Sequence, residues 1–361
     1  MSHSHPYVLI AALALLATAG LIALLRPVAG RLGWLDEPGA HKTHDSAVPV
    51  TGGIAMFLVF AVALLLVNPA MKHLWTLVAA AAALVVVGAL DDRYQLSYRW
   101  RFMAQTAAGL VMTLGADTAL RDMGYLQWDH SLTETGLWQV PLTVFCVVGV
   151  INALNMLDGL DGLAGTVALI AAAALAWFAF TGGRDADGVV LLVLAAVLAG
   201  FLSWNWRLPG RRRARVFMGD AGSLSVGFVL AWFVVSLSQL EDGTRAMLPV
   251  QALWVLCVPL MDTVRLLVWR AAYGTGPFKP DRQHLHHVLQ RRGWSHGQAA
   301  ATVIALHATG VIAGLVAPGY GVSEFAMFYA FMALFFCYAV ALGWEFDRQH
   351  GFSGATQPVV S

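Results

Sequence analysis

Long apolar stretches separated by short polar ones run through the whole 361-residue chain. Eleven of them reach spanning length, at roughly 7–30, 52–68, 73–90, 102–120, 136–152, 160–180, 188–204, 216–240, 246–269, 298–317 and 323–345. A helix needs about 20 apolar residues to cross a bilayer. The runs are unbroken Ala, Leu and Val rather than alternating ten-residue stretches, which argues for helices over membrane strands. A helix also satisfies its own backbone in hydrocarbon. The pattern therefore predicts an all-α polytopic membrane protein of about eleven transmembrane helices. It forms one integral domain over 1–346, followed by a short, disordered cytoplasmic tail over 347–361.

Composition agrees: 58% of residues are hydrophobic and 12% charged, where a soluble domain carries about 25% charged residues. The net charge of +1 says little; the placement of the charges says more. Loops after odd-numbered spans hold 18 of the 22 Lys and Arg residues. The other four, Lys72, Arg121, Arg184 and Arg245, follow even-numbered spans. Cationic loops stay in the cytoplasm, so the N-terminus is expected outside, in the periplasm, and the C-terminus inside. Met1–Pro6 has no Lys or Arg, unlike the start of a cleaved signal peptide, and Tyr7–Leu25 reads as a retained span. Cys146, Cys257 and Cys337 lie inside apolar runs and read as small core residues.

The polar motifs all fall on the expected cytoplasmic side. Asn152, Asn155, Asp158 and Asp161 recur every third residue between two apolar runs, with Gly159 and Gly162 among them. If helical, they would share about half the helix circumference, although the glycines weaken a helix and admit a ligand close to the backbone. Carboxylates at membrane depth are costly unless paired or hydrated and mark function by default. The plainer alternative is a polar contact between packed helices. Asp91-Asp92 follows the third span, and adjacent like charges repel unless a cation sits near. Arg211–Arg215 precedes Val216-Phe217-Met218-Gly219-Asp220, where Asp220 also suits a helix N-cap. The Arg run reads as an anchor to anionic lipid. Asp262 and Arg265 are spaced as an in-helix ion pair. The longest loop holds Asp281-Arg282-Gln283-His284-Leu285-His286-His287, a basic loop with no fourth ligand at zinc spacing.

Oxygen-rich sites without Cys suit Mg²⁺ or Mn²⁺, and Lys42, Arg101, Arg282 and the histidines can meet phosphate. Carboxylates that hold a metal, opposed by basic groups, form the electrostatic pattern of phosphoryl transfer. A site at the inner membrane surface suggests one lipid substrate and one soluble one.

Together these motifs resemble the polyprenyl-phosphate N-acetylhexosamine-1-phosphate transferases of glycosyltransferase family 4, in their WecA-like branch, over roughly residues 7–345. The resemblance implies transfer of GlcNAc-1-phosphate from UDP-GlcNAc to undecaprenyl phosphate with release of UMP, initiating a cell-envelope polysaccharide, and a Mg²⁺ or Mn²⁺ cofactor. It implies a multi-pass protein of the bacterial inner membrane with its site facing the cytoplasm. Its partners would be the UDP-sugar, the polyprenyl phosphate and membrane lipid, with no nucleic acid; a homodimer is left open. By resemblance, Asp91, Asp92, Asp158 and Asp161 are catalytic, with the Asp pair linked to the lipid phosphate. Asn155 and Asp220 ligate the metal, and Phe217 stacks on uracil. Lys42, His44, Arg101, Asn152, Arg282, His284, His286 and His287 bind substrate. Arg101 stands where the family carries Lys, and Gly39 and His41 depart from the family's Asn and Arg in the first loop. The competing readings are the same reaction with another UDP-HexNAc or UDP-MurNAc-pentapeptide, and, in a different class, a secondary transporter using Asp158 and Asp161 as a proton relay.

Overall fold

The computed structural model describes residues 4–36, 47–129, 131–207, 210–211, 213–240, 243–272 and 283–350. In chain order the helices are α1 (Ser4–Leu25), α2 (Ala29–Leu32), α3 (Gly52–Val67), α4 (Leu74–Tyr94), α5 (Tyr98–Leu110), α6 (Gln139–Leu157) and α7 (Leu163–Thr181). They continue as α8 (Asp185–Asn205), α9 (Gly219–Ser238), α10 (Gln251–Val255), α11 (Cys257–Ala272), α12 (Leu285–Arg291), α13 (His296–Val316) and α14 (Glu324–His350). Among the described residues, α1, α4, α6, α7, α8, α9, α13 and α14 are each long and apolar enough to cross a membrane. The chain is an all-α polytopic membrane protein.

Each of the eleven apolar segments coincides with a helix or a helix pair, but three fall short of spanning length as single α-helices. α3 has 16 residues. α5 has 13 and continues as a π turn over Val111–Gly115. The ninth segment is broken between α10 and α11. Pro259 lies in the first turn of α11, where its ring conflicts with the carbonyl four residues back, at Val255, the last residue of α10.

Three further details depart from the sequence expectation. The first loop carries a two-residue antiparallel ribbon, β1 (Leu35–Asp36) with β2 (Val48–Pro49). α6 stops at Leu157, so Asn152 and Asn155 are helical while Asp158 and Asp161 lie in the turn before α7; Gly162, at φ +79°, ends that turn in a conformation that favours glycine. α14 runs on to His350, past the expected domain boundary at 346.

α9 is the axis of the bundle. It packs against α3, α4, α6 and α7, and apart from Ser236 every residue from Ala221 to Ser238 is buried. Small residues allow this. A Cβ on Gly53 would lie 2.1 Å from the Gly222 nitrogen, and one on Gly88 would lie 2.4 Å from the Ala221 nitrogen. The backbones of α3 and α4 thus touch the first turn of α9. The segment before α9 is stitched to the segment before α3: Gly52 N–H donates to Phe217 O at 3.1 Å, Gly53 N–H to Met218 O at 2.9 Å and Phe217 N–H to Pro49 O at 2.8 Å.

The far end of the bundle holds a separate polar cavity of about 910 Å³ over buried Trp232, lined by Lys72, Arg121, Arg184 and their loops. Arg245 pairs there with Asp122 at 3.0 Å, bound through Gln239. The four cations of the even-numbered loops therefore gather at the end opposite the polar motifs.

Gly53→Ala is expected to destabilise the protein by about 1–3 kcal/mol or more, because the added methyl meets backbone that cannot step aside. Thermal unfolding in detergent measures this. Gly297, with open space around it, is the control, and an equal effect of Gly297→Ala would count against the close-approach argument.

Candidate active site

The first turn of α9 carries the site because its backbone is gripped from α4. Asp92 lies in the last turn of α4, and its Oδ1 accepts from Asp220 N–H at 2.8 Å while its Oδ2 accepts from Ala221 N–H at 3.2 Å. Both donors are orphan N–H groups of a helix start, and a carboxylate there also faces the positive end of the helix dipole. Gly219, at φ +69°, leaves no room for a side chain: its Cβ would lie 2.5 Å from Asp92 Oδ2. The sequence suggested Asp220 as the N-cap of α9. The capping carboxylate instead comes from another helix, and Asp220 is left free to face the site.

The Asp220 side chain is held from two elements. Arg101 on α5 donates Nη1 to Asp220 Oδ2 at 2.9 Å and lies 3.2 Å from Asp91 Oδ2. Asn155 on α6 donates Nδ2 to Asp220 Oδ1 at 2.7 Å and to Ser223 Oγ at 2.8 Å. Asp158, just beyond α6, is half-buried. Burial first, then the charges of Asp220 and Asp161, push its carboxyl up to about 7.

This donor set suits a hard divalent cation. Asp220 and Asn155 are in contact, Asp91 and Ser223 add oxygens close by, Arg101 occupies Asp220 Oδ2, and Cys plays no part. Among the described residues no three His, Cys, Asp or Glu side chains close on one point. An ion here would therefore complete its shell with water and substrate phosphate, as Mg²⁺ does. A flip of the Asn155 amide would turn its Oδ1 toward such an ion.

A family model of glycosyl transferase family 4 matches residues 74–238, which run from α4 to the end of α9. Over 338 residues the chain is 33% identical to the undecaprenyl-phosphate alpha-N-acetylglucosaminyl 1-phosphate transferase of Escherichia coli K12, covering 92% of this chain and 90% of that protein. The chain belongs to glycosyl transferase family 4. The proteins of the same name from Salmonella typhi and Haemophilus influenzae are 34% identical over 340 residues and 31% identical over 336. They cover 92% and 91% of the transferase, and 90% and 92% of their own lengths.

The transferase brings together Asp91, Asp92, Arg101, Asn155 and Asp220, with Asp158 beside them. Asp161 turns away: its Oδ2 accepts from Arg207 Nε at 2.7 Å and from Ala214 N–H at 2.9 Å, so it holds the Arg-rich loop against the start of α7. Arg211, in that same loop, donates to Ser203 O at the end of α8. Asn152 faces α5, donating Nδ2 to Gln105 Oε1 at 2.6 Å and to Val148 O at 2.7 Å. Phe217 is half-buried on the segment leading into α9. Lys42, His44 and Arg282 lie outside the described residues.

The histidine loop packs on the turn after α6. A Cβ on Gly159 would lie 2.6 Å from His286 Nε2, so the glycine next to Asp158 gives the ring its place. His286 stacks on His284 with centroids 5.8 Å apart and lies 4.1 Å from the His287 ring. Burial, then His287 and His284, hold its imidazole down at about 3, so the ring is neutral. Among the described residues, both its nitrogens are buried without a hydrogen-bond partner.

Residue patterns alone did not single out Ser223 or Gln105. Ser223 sits three residues after Asp220, and Gln105 four after Arg101, each on the same helix face as its neighbour. That spacing was the available signal.

The pH response of His286 has a definite sign. Its value lies below the ordinary 6.5, so the neutral ring contributes stability that is full above pH 6.5 and lost as pH falls toward 3. Thermal unfolding of the wild type between about pH 7 and pH 4 is expected to lose more stability than that of His286→Gln, by up to about 1.4 kcal/mol per pH unit. Parallel profiles would refute a buried neutral imidazole.

Proposed function

We propose that the transferase moves GlcNAc-1-phosphate from UDP-GlcNAc to undecaprenyl phosphate, giving undecaprenyl-diphospho-GlcNAc and UMP. The observation that carries this reading is the contact of Asn155 with Asp220, 65 residues apart in sequence. It is supported by relatives over nine-tenths of the chain named for that activity. The product would initiate a cell-envelope polysaccharide. The acidic end lies at the cytoplasmic face of the bacterial inner membrane, the N-terminus lies outside, and the eleven apolar segments cross as one integral domain. The gathering of 18 cations in the odd-numbered loops supports that orientation.

The reaction is a direct displacement. A phosphate oxygen of the lipid attacks the β-phosphorus of the UDP-sugar, a new P–O bond forms, and the bond to the α-phosphate bridging oxygen breaks as UMP leaves. A phosphate monoester has its second pKa near about 6 and is mostly dianionic at neutral pH, so the nucleophile needs no strong base. Asp220 and Asn155 would hold Mg²⁺ or Mn²⁺, which would supply charge neutralisation of the diphosphate. Asp92, with both oxygens on α9, fixes Asp220 in place. Asp91 and Arg101 face the acceptor phosphate. Phe217 stacks on uracil, and Arg282, His284, His286, His287, Lys42 and His44 bind the sugar and diphosphate.

Purified protein given UDP-GlcNAc, undecaprenyl phosphate and Mg²⁺ is expected to release UMP and to place GlcNAc in the lipid phase. No turnover with UDP-GlcNAc, alongside turnover with UDP-MurNAc-pentapeptide, would overturn the sugar assignment. Asp220→Asn is expected to lose at least about 100-fold in rate, a typical loss for one strong electrostatic contact, and to need more Mg²⁺. A near-wild-type rate at low Mg²⁺ would refute the ligand role. Phe217→Ala is expected to raise KM for UDP-GlcNAc by about 5- to 150-fold, since base stacking contributes about 1–3 kcal/mol. An unchanged KM would remove Phe217 from the uracil site.

A further inference from the structure

Asp262 on α11 is a buried carboxylate, 2% exposed, with more partners than an in-helix ion pair explains. Its Oδ1 accepts from Tyr338 Oη on α14 at 2.7 Å, from Leu285 N–H at 3.1 Å and from Arg265 Nη2 at 3.2 Å. Its Oδ2 meets His284 Nδ1 at 2.7 Å. Arg265 also donates Nη2 to Gln283 O at 2.6 Å. Asp262 therefore ties α11 and α14 to His284 and Leu285 of the histidine loop, and its partner Arg265 adds Gln283. Three donors converging on Oδ1 keep the group an ionised acceptor, so His284 carries its proton on Nδ1, and Nε2 is the nitrogen left to meet a ligand. The next link is the stack of His284 on His286, whose Nε2 lies against Gly159, beside Asp158.

We propose that Asp262 is a positioning residue of the transferase: it locks the ring orientation and Nδ1–H form of His284 and thereby sets the histidine loop against the diphosphate of the nucleotide sugar. This rests on the transferase reading above. Asp262 touches no substrate and acts through His284, as outer carboxylates do when they fix the tautomer of a working histidine. A buried, fully partnered group of this kind fixes a single geometry. Among the loop's described residues the short helix α12 is its one regular element, and Asp262 anchors it from outside.

The test uses the full-length protein in detergent with UDP-GlcNAc, undecaprenyl phosphate and Mg²⁺. Asp262→Asn keeps an oxygen for the Tyr338, Leu285 and Arg265 donors but cannot accept from His284 Nδ1. It is expected to raise KM for UDP-GlcNAc at least about 10-fold while KM for undecaprenyl phosphate stays within about 2-fold. Tyr338→Phe, which removes one donor and leaves the pair intact, is expected to move the same constant by about 2- to 5-fold. In the His284→Ala background, Asp262→Asn is expected to add less than about 2-fold, because the two residues act as one unit. Multiplicative losses in the double variant would overturn the inference. So would a fall in kcat with both KM values at wild type, which is the mark of a purely structural role. Absence of UMP release by the wild-type protein would overturn the transferase reading, and this inference with it. Additive variants of an active enzyme overturn this inference alone.

Discussion

The grip of the Asp92 carboxylate on the first backbone amides of α9 is the contact on which the rest of the site depends. α9 is buried from Ala221 onward, so its first N–H groups are largely enclosed, and leaving such donors unmet is costly. Asp92 meets two of them at 2.8 and 3.2 Å and so fixes Asp220 in rotation and depth. Two adjacent aspartates thereby acquire different work: Asp92 serves the helix, and Asp91 shares Arg101 with Asp220.

Close backbone approach is the second constraint. α3, α4 and α9 meet at Gly53, Gly88 and Gly222, and lipid gives helices no hydrophobic drive toward one another, so association relies on close packing of small residues. The same glycines bring Asp91, Asp92 and Asp220 within hydrogen-bond reach of one another's elements. Packing and chemistry share one set of positions here. A methyl group that spoils the contact would also move the carboxylates.

The two ends of the bundle are built differently. The acidic end holds carboxylates that face one another, with Arg101 between two of them. At the far end Arg184 pairs with Asp187 at the start of α8 and with Ser236 on α9, and Arg245 pairs with Asp122 from the segment before α6. Like charges gathered in one place need a ligand, metal or guanidinium to be tolerable, whereas cations already paired with acids do not. That contrast locates the chemistry at one end of the molecule.

Hydropathy alone determined where the apolar helices run, because a span must be long and apolar and must bond within itself. It also separated the cation-rich loops from the others, and the motif residues Asn155, Asp91, Arg101 and Asp220 were legible as polar groups out of place beside apolar runs. The in-helix pair of Asp262 and Arg265 was legible too, since i and i+3 face one another on any helix. Other features were decided only by the fold. Asp92 caps a helix that begins 128 residues later. Asp161 answers to Arg207 rather than to the acidic centre, Asn152 answers to Gln105, and Asp262 reaches His284 and Tyr338. Local spacing carries information about neighbours on one helix. Contacts between helices depend on which faces meet, and that is fixed by packing of small residues and by the need of each buried donor for an acceptor, wherever in the chain one lies.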